Sequence, residues 1–185
     1  MNYLRGFIPW IVFAVMPSND LKWAAVVALL VGLALFRRQR RRGVEADAMI
    51  LEISTIAFFA VLAALAYVAP HSSSLSQYTG ALSFVWLALT AWGSLAARHP
   101  FTLGIARQGT PRELWNRPQF MRVNVVITAV WATAFTLTGA AVAICDIAGA
   151  GSIASIACEA AGFVLPAIFT ARYPKIVQAR YANAG

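Results

Sequence analysis

Apolar positions along this chain fall in unbroken runs rather than at a helical or strand period. Six runs stand out, at about residues 4–17, 21–36, 49–69, 81–97, 121–145 and 153–173. Runs of that kind mark helices whose solvent is lipid. At about 1.5 Å per residue, roughly 20 residues cross a hydrocarbon core. The third, fifth and sixth runs are long enough. The second and fourth fall slightly short, which snorkelling side chains and local bilayer thinning accommodate. The first ends at Pro17 and is either a tilted span reaching back to Met1 or one arm of a re-entrant hairpin turning at "PSND". The predicted fold is all-α, a polytopic membrane helix bundle of about six transmembrane helices forming one domain over residues 1–185. No internal repeat relates the halves, which argues against an inverted-repeat transporter.

A shorter helix is expected in the longest polar connection. "TPRE" at 110–113 has the form of a capping box, with Thr110 as cap, Pro111 opening the helix and Glu113 reaching back. An interfacial helix over about 111–117 follows.

Composition sharpens this picture. The chain is 60% hydrophobic and 12% charged, against about 25% charge in soluble domains. Net charge is +8, which in a soluble protein would suggest nucleic acid. Here fourteen of the fifteen Lys and Arg residues lie at Arg5, in "RRQRRRG", in the connection 98–122 and in the tail from 171. The alternate connections hold only Lys22 nearby. Basic loops stay cytoplasmic, so six spans with both termini cytoplasmic put every basic connection on one side, and no nucleic-acid partner is expected. Arg5 ahead of "FIPWIVFAVM" imitates a signal peptide, but Pro9 and Trp10 interrupt the core and no A-x-A-like cleavage site follows. A retained first helix is expected.

Candidate chemistry is sparse. Glu159 lies within the last run, where a charged acid costs about 2.5 kcal/mol or more. Gly151, Ser155, Cys158 and Gly162 form a small-residue face around it, which admits a neighbouring backbone closely. No Lys or Arg shares its depth, so the protonated acid is favoured. Its partners are expected among Asn124, Thr128, Thr133, Thr136, Ser83 and Thr90, with Glu159, Ser155, Asn124 and Thr128 as the candidate intramembrane polar site. Two roles stay open: a proton or cation relay, and a neutral acid joining helices. Pro166, on about the same face, frees a backbone carbonyl near Gly162 and predicts a kink.

Arg37, Arg38, Arg40, Arg41 and Arg42 serve as an orientation signal and, with Arg107, Arg112, Trp115 and Arg117, as candidate lipid-headgroup contacts. Phe101, Leu103 and Ile105 alternate loosely with arginines, as anchors at headgroup depth would. Cys145 and Cys158 form no C-x-x-C pair, and His71 and His99 fall on opposite membrane faces. Neither a disulfide framework nor a zinc or haem site is expected, and no cofactor is implied. No nucleophile motif, P-loop or glycine-rich fingerprint occurs.

Two stretches are familiar. "LRGFIPWIVFAVMPSNDLKWAAVVALLVGLALF" resembles the opening of the intracellular septation protein A family of bacterial inner-membrane proteins, in which a short F-x-P-containing arm precedes a turn with an acid and a longer helix. "ELWNRPQFMRVNVVITAVWATAF" is similar to that family's later pattern at Trp115, Arg122, Val123, Asn124, Trp131 and Phe135. The likeness covers about a third of the chain, and "RPQF" and "RHPFTLGIAR" depart from it. It implies a non-enzymatic inner-membrane protein of envelope or septum maintenance, with no catalytic residues. The expected function is therefore interaction with anionic headgroups, with envelope or division proteins or with further copies of itself. The alternative is a channel or proton-coupled transporter using Glu159.

Overall fold

The structure, a computed structural model, describes residues 6–16, 21–44, 46–68 and 73–182. Arg5, the turn at 17–20 and His71 lie outside the described residues. Seven α-helices and no strand occur among those described: α1 (Ile8–Val15), α2 (Leu21–Arg41), α3 (Ile50–Val68), α4 (Ser73–Ala96), α5 (Phe101–Arg107), α6 (Pro118–Ala148) and α7 (Ser152–Ala182). Four of these, α3, α4, α6 and α7, are long and apolar enough to cross a membrane. The first two apolar runs give a different result. α1 has eight residues, about 12 Å of helix. α2 is long, yet its uncharged part is only the fourteen residues Trp23–Phe36, about 21 Å.

The chain divides into two compact units, Met1–Thr79 and Gly80–Gly185. In the first, α2 turns Ala24, Ala25, Ala28 and Gly32 inward, a small-residue stripe against which a neighbouring helix packs closely. At Gly32 an added Cβ would meet Ile56 and Thr55 of α3 and Pro9 of α1, at 3.5–3.9 Å. Pro9 sits in the first turn of α1, where its missing N–H costs nothing. Trp10 stacks on Phe58 at 4.9 Å between ring centroids and donates Nε1–H to Thr55 Oγ1 at 3.0 Å. Thr55 in turn donates to the Leu51 carbonyl at 2.7 Å. α2 continues through its arginines because cations suit a helix C-terminus. It stops at Gly43, whose φ of 78° supplies the left-handed turn.

In the second unit α6 and α7 form an antiparallel hairpin. Trp131 Nε1 donates to Thr170 Oγ1 at 2.9 Å, and Thr170 donates to the Pro166 carbonyl at 2.8 Å. Trp131, Phe135, Phe84 and Phe163 cluster around this bond, with Phe84 and Phe163 at 5.3 Å. α4 packs on α6 at Gly139, where an added Cβ would lie 3.3 Å from Phe84 Cβ and 3.5 Å from the Val85 nitrogen. α7 continues as helix through both Pro166 and Pro174. Only 17% of its apolar stretch is buried, against 44% in the other three, so α7 leaves the largest share of its apolar surface uncovered.

Two expectations fail in the 97–120 connection. α5, which hydropathy does not mark, buries Phe101, Thr102, Leu103, Gly104 and Ile105. Phe101, Leu103 and Ile105 are therefore internal, not headgroup anchors. The capping box does not form either. Pro111 is non-helical, with φ −55° and ψ 144°, and only a 3-10 turn at Arg112–Leu114 follows. Thr110 instead donates backwards to the Ala106 carbonyl at 2.9 Å, because α5 ends just ahead of it and leaves that acceptor open.

Candidate functional site

Two clusters of polar residues mark the two ends of the α6–α7 hairpin. Its closed end begins with the helix stop at Gly149, where φ is 63° and the Ala150 N–H bonds to the Cys145 carbonyl at 3.0 Å. Gly151 is also left-handed, with φ 83°, so the chain reverses within a few residues and α7 starts at Ser152 facing the last turns of α6. Ser155 Oγ donates to Asp146 Oδ1 at 3.4 Å, a long bond. Asp146 Oδ2 is buried and accepts no hydrogen bond from a described residue. Glu159, half-buried, follows one turn after Ser155. Its Oε1 rests on α4 at Gly80, where an added Cβ would be 2.7 Å away. Gly80 therefore leaves room for the carboxyl.

Glu159 is the eighth residue of α7, about 10 Å from the helix start. It sits near the closed end of the hairpin rather than halfway along it. The apolar groove along α6 and α7, about 560 Å³ and lined by Val125, Ala129, Leu137, Thr138, Gly162 and Leu165 among others, does not have Glu159 in its wall.

Four of the expected partners of Glu159, Thr136, Thr90, Asn124 and Thr128, bond elsewhere. Thr136 donates to the Ala132 carbonyl at 2.8 Å and receives Trp92 Nε1–H at 3.2 Å. Thr90 donates to the Trp86 carbonyl at 2.9 Å. Asn124 and Thr128 lie at the other end of α6. Asn124 is twenty-two residues before Asp146, about 33 Å of helix. Ser155 and Glu159 thus share one end, while Asn124 and Thr128 belong to a second, separate cluster.

That second cluster is almost fully enclosed. Thr102 and Thr128 are 0% exposed and Asn124 is 1% exposed. The hydroxyls of Thr102 and Thr128 are 2.8 Å apart, and Thr102 also donates to the Asn124 carbonyl at 3.1 Å. A hydroxyl has one proton, so Thr128 is the donor to Thr102. Asn124 Nδ2 donates to the Phe120 carbonyl at 2.9 Å. Ser94 receives the Phe101 N–H at 3.2 Å, which supports the start of α5. The chain enters α5 after Arg98, which holds φ 60° at the end of α4, a position where glycine is usual. Thr102 was not foreseen because α5 was not, and Ser94 only looked like one more small residue in an apolar run.

The headgroup candidates separate as well. Arg37, Arg38, Arg40, Arg41, Arg42, Arg112 and Arg117 are exposed, while Arg107 and Trp115 are half-buried. The guanidinium carbons of Arg107 and Arg112 lie 5.2 and 5.6 Å from the Trp115 ring centre. Trp115 Nε1 donates to the Thr110 carbonyl at 2.9 Å, which fixes the ring between α5 and the 3-10 turn.

In the first unit, sequence reasoning missed Glu52. It is 7% exposed, in the first turn of α3, and its Oε1 accepts from Gln39 Nε2 at 2.7 Å. Its Oε2 is buried and accepts no hydrogen bond from a described residue. The available signal was an acid three residues inside an apolar run, opposite a glutamine in the arginine stretch. No group of three His, Cys, Asp or Glu side chains placed to hold a metal ion occurs among the described residues. Compared with family models, with curated proteins and with solved structures, the chain matches none.

Proposed function

We propose that this chain is a multi-pass protein of a bacterial inner membrane. It works without enzymatic chemistry, holding anionic headgroups or a partner protein on its arginine-rich face, in envelope maintenance or septation. The observation that carries this reading is the pair of guanidinium groups on one indole, Arg107 and Arg112 on Trp115. Two guanidinium groups against one ring suit a phosphate, which takes paired N–H donors from arginine. The exposed arginines from Arg37 to Arg42 add an attraction to anionic lipid of about 1 kcal/mol each. The resemblance to the septation protein A family points to the same kind of role.

In this reading α3, α4, α6 and α7 cross the bilayer. α1 and α2 make a short re-entrant hairpin, being too short in apolar length to cross unaided. Both termini and every arginine-bearing connection face the cytoplasm, so the closed end of the α6–α7 hairpin faces outward. The test is lipid retention by the purified protein. The Arg107→Gln, Arg112→Gln double variant is expected to lose co-purifying phosphatidylglycerol or cardiolipin and to fail to correct a septum defect in a deletion strain. Equal lipid retention by variant and wild type defeats the proposal.

A second reading is favoured by one observation, the half-buried carboxyl of Glu159 lodged against Gly80 of α4. An acid enclosed within a span is a candidate site on a proton or ion path, which suits a proton-coupled transporter or channel. Vesicles carrying Glu159→Gln test it: the reading requires a proton flux in the wild type that the substitution abolishes.

A further inference from the structure

The register of the α6–α7 hairpin sets two cysteines against each other. Trp131 meets Thr170, Thr138 meets Gly162 and Asp146 meets Ser155. Cys145 and Cys158 fall between the last two of these pairs, on facing helices. Both thiols are free and half-buried. They stand on rigid helix rather than on loop. The turn that joins them is held by the left-handed glycines 149 and 151. A spacing of thirteen residues in sequence hides this pairing, which appears only when the hairpin closes.

We propose that Cys145 and Cys158 form a reversible disulfide that staples the closed end of the α6–α7 hairpin. The oxidant is a small disulfide or a dithiol–disulfide exchange protein. One cysteine attacks a sulfur of the oxidant as thiolate, forming a mixed disulfide and releasing one thiol. The second cysteine then attacks the mixed-disulfide sulfur on its neighbour and releases the second thiol. One intrachain S–S bond replaces the S–S bond of the oxidant. The cysteines lose two electrons, the oxidant gains them, and the two cysteine protons end on the released thiols. Whether the staple is closed in the cell rests on the outward orientation proposed above, since disulfides persist on the oxidising side of the membrane. The pairing itself rests only on the register.

The experiment treats the purified full-length protein in detergent with oxidised glutathione, quenches it in acid, alkylates with N-ethylmaleimide and digests with trypsin. No Lys or Arg lies between Arg122 and Arg172, so both cysteines fall in one peptide. The expected product is that peptide lacking two hydrogens and carrying no adduct, which accepts two maleimides after reduction. In Cys145→Ser, Cys158 is expected to hold one glutathione or one maleimide instead. Two maleimides on the oxidised wild type, or a separate glutathione on each cysteine, overturns the staple. Acid-trapped alkylation of intact cells is the second arm. A disulfide found there supports both pairing and orientation. A disulfide formed in detergent but absent in cells upholds the pairing and overturns the orientation.

Discussion

The two ends of the α6–α7 hairpin solve the problem of polar atoms in a membrane helix differently. At the open end Thr102, Asn124 and Thr128 are neutral and enclosed, the Thr102 hydroxyl bonding to Thr128 at 2.8 Å and to the Asn124 carbonyl at 3.1 Å, while Asn124 Oδ1 is buried and accepts no hydrogen bond from a described residue. At the closed end Asp146, Ser155 and Glu159 are half-buried, and the bond from Ser155 Oγ to Asp146 Oδ1 is 3.4 Å long. An enclosed hydroxyl must be bonded or it destabilises the fold. A half-exposed acid near a helix end has headgroups and water as alternatives. The hydroxyls of the open end therefore tie α5 to α6, whereas the half-buried side chains of the closed end are held by a single long bond.

The largest expected effect lies between the two ends. A Cβ on Gly162 would run into the Thr138 side chain. Gly162→Ala should destabilise the detergent-solubilised protein by about 1–3 kcal/mol, measured by SDS-induced unfolding followed through tryptophan fluorescence. Thr138→Ala should return part of that loss, and a Gly162→Ala protein as stable as wild type would mean the helices are not this close. Next comes Thr102→Val, which removes one hydroxyl from the enclosed network and should cost about 1 kcal/mol. Combined with Thr128→Val the cost should fall short of the sum, as coupled partners require. Arg98→Gly should raise stability by about 0.4–1 kcal/mol, because it relieves a left-handed arginine. The smallest effect is expected at the closed end, where Glu159→Gln should stay within about 0.5 kcal/mol. A loss from Glu159→Gln as large as that from Thr102→Val would erase the contrast between the ends.

Much of the helical architecture was legible in the apolar runs, and the departures share a cause. Hydropathy reports where lipid ends, whereas hydrogen bonding decides where a helix ends. α2 therefore runs five residues past Phe36 through arginines, and α7 runs on past Tyr173 through Pro174 to Ala182. α4 begins eight residues before its apolar run, in a serine-rich stretch. α5 was invisible because seven residues are too few for a periodic signal, and a capping motif two residues beyond its end drew attention to the wrong segment. For the candidate site, the small-residue face around Glu159 and the polarity of Asn124 and Thr128 were readable. Their separation was not, because it depends on the register of the hairpin. Asp146 gave no warning, since it stood in what looked like the polar end of a run.

One motif recurs in both units. In Trp10 with Thr55, Trp92 with Thr136 and Trp131 with Thr170, the indole N–H donates a hydrogen bond to a threonine that donates to a carbonyl four residues back in its own helix. Such joints carry no net charge. A membrane voltage acts on an ion at about 2.3 kcal/mol per elementary charge per 100 mV, and it has no comparable grip on these fastenings. Depolarisation or a swing in ionic strength should leave the scaffold standing, so that any electrical response of this protein must come from its carboxylates and guanidinium groups alone.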